Sequence, residues 1–205
     1  MAGAAEPRYH LVMRLAFALS GLLAVSGAAA AHAAAQGFAR ANDPAAHKEL
    51  DRLFATLAKA GSTEEAQPVE TQILSYFLQS GSPSIDLLMG RAADALGSGD
   101  VATAQKLFES VTAIAPDFAE GWHQRGRIEA ASGNDEAAML SLQKTIALNP
   151  RQFEAYAELA GMLEDYGDKN AALAMYRKAM ALDPNLDDVA RHVRELGRAV
   201  EGERI

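Results

Sequence analysis

Apolar, small and glycine positions recur from residue 85 onward with a spacing of about 34 residues, a length typical of small structural repeats. Pro116, Pro150 and Pro184 show the period first, since they are equally spaced along the chain. Five further columns keep this spacing. They are Leu88/Trp122/Tyr156, Ala92/Gly126/Ala160, Gly99/Gly133/Gly167, Ala104/Ala138/Ala172 and Phe108/Leu142/Tyr176. Six matched columns at one period predict that the chain is built from copies of one small unit.

Each unit is predicted to be a pair of helices. In the middle unit, "FAEGWHQRGRIEAAS" precedes Gly133, a residue suited to the left-handed turn after a helix, and "NDEAAMLSLQKTIAL" follows it. Asp135 and Glu136 lie in the first turn of the second helix, where acids complement the helix dipole. Pro150 ends that helix. Because so small a pair buries little apolar surface alone, the units are expected to stack into an all-α solenoid.

These columns resemble the tetratricopeptide repeat, a helix–turn–helix unit of about the same length with characteristic large, small and proline positions. Trp122 matches the large residue of the first helix and Gly126 the small one. Ala138, Leu142 and Pro150 match the close-contact alanine, the large residue and the closing proline of the second helix. The resemblance implies a concave groove lined by the first helix of each unit.

Three positions depart from the family pattern. Arg91 and Arg125 stand where leucine is usual, and Glu129 stands where an aromatic residue is usual. We expect Glu129 to weaken the packing of the middle unit.

The repeat period divides the chain into segments. A degenerate unit is predicted before the three clear ones because terminal repeats cap a stack and are usually atypical. The segments are a signal peptide at 1–35, a tail or linker at 36–50, a degenerate repeat at 51–84, repeats at 85–118, 119–152 and 153–186, and a capping helix and tail at 187–205.

The N-terminal segment has the layout of a secretory signal peptide. Arg8 and Arg14 precede the uncharged stretch "LAFALSGLLAVSGAAAA", and small residues follow with cleavage patterns after Ala33 and Ala35. The sequence therefore predicts export to the periplasm or outside the cell, with no membrane contact after cleavage. The alternative is an uncleaved segment that anchors the chain to the inner membrane, since it is about long enough to span one.

The start of translation is open. Met13 directly precedes the signal-like stretch, whereas Glu6 and Pro7 are unusual in such a segment, so translation from Met13 rather than Met1 is a second hypothesis.

Composition narrows the function classes. A net charge of −8 disfavours a nucleic-acid surface, which needs clustered Lys and Arg. The absence of cysteine excludes disulfides, thiolate metal sites and cysteine nucleophiles. His47, His123 and His192 are far apart and no metal-binding or serine-hydrolase motif is present. We therefore expect no enzyme activity, no metal and no cofactor.

The resemblance implies that the second, fifth, ninth and twelfth residues of each unit face the groove. The candidate contact residues among them are Asp86, Met89, Glu120, His123, Arg127, Glu154 and Glu164. This surface leans acidic, which favours a protein or peptide partner with Lys or Arg. The Lys and Asn clamp with which chaperone-binding members of the family hold a C-terminal carboxylate is missing.

The sequence thus predicts a non-catalytic scaffold or adaptor of the bacterial cell envelope that holds a peptide in its groove. The alternative is a structural repeat protein that associates with itself and binds no peptide. Partner identity and oligomeric state are left open.

Overall fold

The computed structural model describes residues 44–202, which form nine α-helices and contain no strand. The helices are α1 Pro44–Leu57, α2 Thr63–Phe77, α3 Pro83–Gly97, α4 Val101–Ile114, α5 Ala119–Ala131, α6 Asp135–Leu148, α7 Phe153–Asp165, α8 Lys169–Leu182 and α9 Asp187–Glu201. The signal peptide, its cleavage sites and the alternative start lie outside the described residues. Within them, none of the helices combines the length and apolarity needed to cross a bilayer.

The predicted all-α solenoid is confirmed, and the helix bounds follow the repeat period of the sequence. Helices α4, α6 and α8 begin at Val101, Asp135 and Lys169, and each packs against the helix before it. The turn glycines Gly99, Gly133 and Gly167 have φ of 80°, 75° and 83°, the left-handed conformation that glycine adopts without strain. Helix α9 packs on α8 and covers the C-terminal end of the stack.

The small-residue columns are where helices of a unit come closest. Ala104, Ala138 and Ala172 are fully buried. A Cβ atom added at Gly126 would lie 3.2 Å from the carbonyl oxygen of Ala138, with Leu142 Cγ and Ser141 Cβ equally close. Glycine at position 126 therefore lets α5 approach α6.

The departures from the family pattern in the middle repeat compensate for each other. Glu129 is 5 % exposed, and its Oε1 accepts a hydrogen bond from Arg125 Nε at 2.8 Å. Ser141 Oγ donates to Glu129 Oε2 at 2.6 Å, and Arg125 Nη1 donates to Thr112 Oγ1 at 3.2 Å. A polar network thus links α4, α5 and α6 where leucine and an aromatic residue are usual.

The first helix pair differs from the predicted layout. Helix α1 begins at Pro44, so residues 44–50 are helical although the sequence predicts a tail or linker there. Helix α3 begins at Pro83, inside the predicted degenerate repeat 51–84. The pair α1–α2, residues 44–77, is called the N-terminal hairpin below. Its longest-range contacts reach residues 151–187, near the other end of the array.

A glycine-to-alanine pair tests the close approach of α5 and α6. We expect Gly126→Ala to lower the free energy of unfolding by about 1–3 kcal/mol, because the added methyl group meets a backbone carbonyl that is fixed by α6. Gly90→Ala on α3 is the matched control, since nothing lies within 4 Å of its added Cβ. That variant should raise stability by about 0.5–1 kcal/mol. Urea unfolding measures both, and equal effects would contradict the account.

The Arg125–Glu129 pair gives a second prediction. Arg125→Leu alone leaves the buried Glu129 carboxylate without its cation and should cost about 3 kcal/mol, the lower end for buried pairs because 30 % of the Arg125 side chain is exposed. The double variant Arg125→Leu/Glu129→Leu removes both charges and should unfold at the wild-type urea concentration or above it. A double variant less stable than the single one would show that the pair is not compensating.

Candidate partner-binding groove

The structure brings four of the seven sequence-predicted groove residues together. Glu120, His123 and Arg127 lie on α5, and Glu154 lies at the start of α7, the next first helix along the array. Gln152 and Glu158 join them, and sequence reasoning did not single out either residue. These six residues, Glu120, His123, Arg127, Gln152, Glu154 and Glu158, are called the His123 cluster below.

The other three predicted residues lie apart from the cluster and have local roles. Asp86 accepts hydrogen bonds from Ser80 N at 3.0 Å and Ser80 Oγ at 2.6 Å, which fixes the turn before α3. Met89 is 7 % exposed and belongs to the core between α3 and α4. Glu164 Oε2 accepts from the Tyr176 hydroxyl at 3.2 Å.

His123 is the centre of the cluster and is fully buried. Its Nε2 lies 3.0 Å from Glu158 Oε2, and its Nδ1 lies 3.4 Å from Glu120 Oε2. The imidazole therefore bridges a carboxylate of its own helix and one of α7. Gln152 Nε2 donates to Glu120 Oε2 at 2.8 Å and lies 3.0 Å from His123 Nδ1, so the loop before α7 closes the ring of contacts.

A second cation shares the Glu158 carboxylate. Arg127 Nε lies 3.4 Å from Glu158 Oε1, and the two side chains are 19 % and 16 % exposed. Glu158 is thus bonded to His123 through one oxygen and faces Arg127 with the other. This arrangement fixes the spacing of α5 and α7 by polar contacts.

The cluster changes the protonation of its members. Burial alone would lower the pKa of His123, but the Glu158 and Glu120 carboxylates outweigh it and raise the pKa well above its ordinary value. Burial alone would raise the pKa of Glu158, but His123 and Arg127 hold that pKa below its usual range. Two cations therefore lie against two carboxylates, Glu120 and Glu158.

Glu154 is the remaining ionisable group. Burial raises its pKa to about 7, and the repulsion from Glu158 and Glu120 adds to an effect that the nearby cations His123 and Arg127 only partly offset. Its carboxyl group therefore gains or loses a proton near neutral pH. The charge of the cluster as a whole consequently turns on Glu154.

Burial also limits which residues reach a partner. Glu120 and His123, at 5 % and 0 % exposure, are covered and position other groups rather than touch a ligand. Arg127, Glu154 and Glu158 are half-buried, so part of each side chain reaches the surface. The spacing of Glu154 and Glu158, one turn apart on a helix, is the sequence signal that places Glu158 on the same face. Within residues 44–202, no group of three His or acidic side chains is arranged to hold a metal ion.

Comparisons with known proteins agree with the helical repeat fold of the described residues. Residues 153–186 match the family described as tetratricopeptide repeat. A TPR repeat-containing protein of Rhizobium etli is 26 % identical over 157 residues, which are 77 % of this chain and 77 % of that protein.

Two solved structures have similar folds. The tetratricopeptide-repeat domain of Sgt2 from Aspergillus fumigatus has a TM-score of 0.52 and 22 % identity, over 58 % of this chain and 81 % of that one. The first such repeat domain of Spaghetti, bound to the HSP90 peptide SRMEEVD, has a TM-score of 0.53 and 15 % identity, over 57 % and 93 %. At these identities the structures show the fold. Residues 153–186 carry a tetratricopeptide repeat, and the described helices have the fold of tetratricopeptide-repeat structures.

Proposed function

We propose that the protein is a non-catalytic scaffold of the bacterial cell envelope, and that it holds a peptide or protein segment with Lys or Arg against Glu154 and Glu158. The observation that carries this proposal is the partly buried acidic pair on α7. The fold of the chain is that of protein-interaction scaffolds. The Spaghetti repeat domain, which has a similar fold, is bound to a peptide. The signal-like N-terminus supports the envelope location.

The charges of the cluster decide the chemistry of the partner. Glu120 and Glu158 already face His123 and Arg127, so Glu154 supplies the charge that a partner can neutralise. A Lys or Arg side chain placed beside Glu154 would lower its pKa from about 7 and keep it ionised. The affinity for such a segment should therefore increase as pH rises toward neutrality. Below about pH 7, binding should release the proton of Glu154.

The same charges disfavour an acidic partner. The peptide bound to the Spaghetti domain, SRMEEVD, ends in acidic residues. The positions that would clamp a C-terminal carboxylate carry Asp86, Met89, Glu120 and His123 here, and none is a lysine or asparagine. Met89, Glu120 and His123 are also buried. We therefore propose a partner of opposite charge to that peptide.

Replacing Glu154 tests the acidic surface without disturbing the fold. Proteins from envelope extract are captured on immobilised wild type and Glu154→Gln, and the affinity of each captured protein is then measured at pH 8. We expect Glu154→Gln to weaken binding about tenfold, equivalent to about 1.4 kcal/mol. The control Glu136→Gln removes the same charge from the exposed surface of α6 and should bind as wild type. Equal affinities for all three proteins would refute the proposed role of Glu154. Glu120 is unsuitable for this test because it is buried against His123.

The protonation of His123 gives a prediction in pH. Its pKa is raised in the folded protein, so its ion pairs stabilise the fold fully below about pH 6.5 and lose that effect as pH rises through the raised pKa. Glu154 acts in the same direction. Between about pH 4.5 and 7 the folded chain keeps a proton on Glu154 that the unfolded chain has lost, so the free energy of unfolding falls as pH rises through this range. NMR titration of the His123 imidazole, with the urea-unfolded chain as reference, should give a midpoint above the reference. A midpoint below the reference would mean that burial outweighs the two carboxylates.

A further inference from the structure

The N-terminal hairpin contacts two equivalent loops of the repeat array. One loop precedes α7 and contains Arg151, and the other precedes α9 and contains Asn185, which occupies the same repeat position one unit later. These loops lie at the same edge of the array, where each first helix begins. The hairpin therefore lies along this edge beside the His123 cluster, to which Gln152 belongs.

Polar contacts tie the hairpin to the first loop. Arg151 Nη1 pairs with Asp51 Oδ1 at 2.6 Å, and Arg151 Nη2 donates to the carbonyl oxygen of Leu50 at 3.3 Å. The guanidinium lies 4.0 Å from the centre of the Phe54 ring, a favourable cation–π contact. Phe54 also meets Phe153 edge-to-face with ring centroids 6.5 Å apart. One arginine and one phenylalanine thus hold α1 to the start of α7.

The second loop makes a matching set of contacts. Asn185 Nδ2 donates to the carbonyl oxygen of Leu57 at 3.2 Å, and Thr63 Oγ1 donates to Asp187 Oδ2 at 2.9 Å. Leu182 and Leu186 pack against the apolar cluster of the hairpin. The interface therefore combines these hydrogen bonds with an apolar contact in which Phe153, Leu182 and Leu186 pack against the hairpin.

A pair of carboxyl groups lies within this interface. Asp183 is fully buried; its Oδ1 accepts from Asn185 N at 3.0 Å, whereas no described group donates a hydrogen bond to its buried Oδ2. Glu70 of α2 faces Asp183 from the hairpin side. Burial raises the pKa of Glu70 to about 7, with further contributions from Asp183 and Glu154. A protonated Glu70 therefore supplies the donor that Asp183 Oδ2 lacks.

We propose that the N-terminal hairpin is a reversible cover on the groove edge, closed by a hydrogen bond from the protonated Glu70 to Asp183 and opened when Glu70 ionises. Loss of the proton leaves the carboxylates of Glu70, Asp183 and Glu154 repelling one another. Opening exposes Phe153 and frees Glu154. Its effect on partner binding rests on the proposed function, whereas the opening itself does not.

The surrounding charges fix the direction of the pH effect. Two acids face Glu70, namely Asp183 in the loop between α8 and α9 and Glu154 on α7. The cations of the adjoining loop and of the His123 cluster pair with other acids, Arg151 with Asp51, and Arg127 and His123 with Glu158.

The dependence of the open-to-closed ratio on pH follows from the change in the pKa of Glu70 on opening. In the closed state the pKa of Glu70 is about 7, and in the open state it returns toward its ordinary 4.5. Opening therefore releases a proton between these pH values, and the ratio of open to closed molecules should rise by up to about tenfold per pH unit. Above about pH 7 both states have lost the proton and the ratio levels off. The cover is closed in acid and loosened near neutrality.

Single-molecule fluorescence transfer on the full mature chain measures this opening. The sequence has no cysteine, so thiols introduced at Ala55 on α1 and Gln143 on α6, both exposed, are the only labelling sites. We expect the low-transfer population to rise from about pH 5 to 7.5 in the wild type. Glu70→Gln should abolish the rise, because a carboxamide donates to Asp183 at every pH.

Two further variants make the result decisive. Asp183→Asn retains the acceptor for Asn185 and donates to Glu70, so it should also suppress the rise even if Glu70→Gln folds poorly. Glu136→Gln, on the exposed surface of α6, should titrate as wild type. A wild type without pH-dependent opening, or a rise that persists in both carboxamide variants, would overturn the proposal. If the hairpin opens but partner affinity does not increase, the result would count against the proposed function and would still support a reversible cover.

Discussion

The close contact between the two helices of each repeat is the constraint on which the structure depends. Gly126 and Ala138 leave no large side chain between α5 and α6, so the larger Leu142 is buried beside them. Small residues recur at this contact in each of the three repeats, and the fully buried Ala104, Ala138 and Ala172 are among them. Side chains of α5 reach the next first helix, α7, where His123 contacts Glu158 at 3.0 Å.

Burial turns the groove charges into a network with one adjustable member. In water, surface ion pairs contribute little, whereas the contacts of His123 form in a site from which solvent is excluded. His123 and Arg127 balance Glu120 and Glu158, and Glu154 is left to respond to pH and to any cation that approaches. A second carboxyl group with the same property, Glu70, lies across the edge of the groove. Because Glu154 also acts on Glu70, the proposed partner and the proposed movement of the hairpin would be linked through these two acids.

The sequence could predict what depends on local spacing. Its period located the helices of the three repeats and the close contact at Gly126. The burial of His123 was harder to foresee, since groove positions are solvent-facing in the family. The groups that bury it are Gln152, in the loop before α7, and Glu158, on α7. Trp122 is half-buried and donates from Nε1 to the Pro116 carbonyl oxygen, although its column predicts a packing residue. The docking of the hairpin depends on contacts such as Asp51–Arg151, far apart in the chain, which no periodicity encodes.

The proposed partner contacts the α7 acids at the edge of the His123 cluster. Carboxyl footprinting by mass spectrometry tests this contact, because it reads the reactivity of each acidic side chain with and without a captured partner. We expect the partner to protect Glu154 and Glu158 and to leave Glu136 on α6 as reactive as before. Protection of Glu136 with no change at Glu154 and Glu158 would show that the partner binds elsewhere and would contradict the proposed contact.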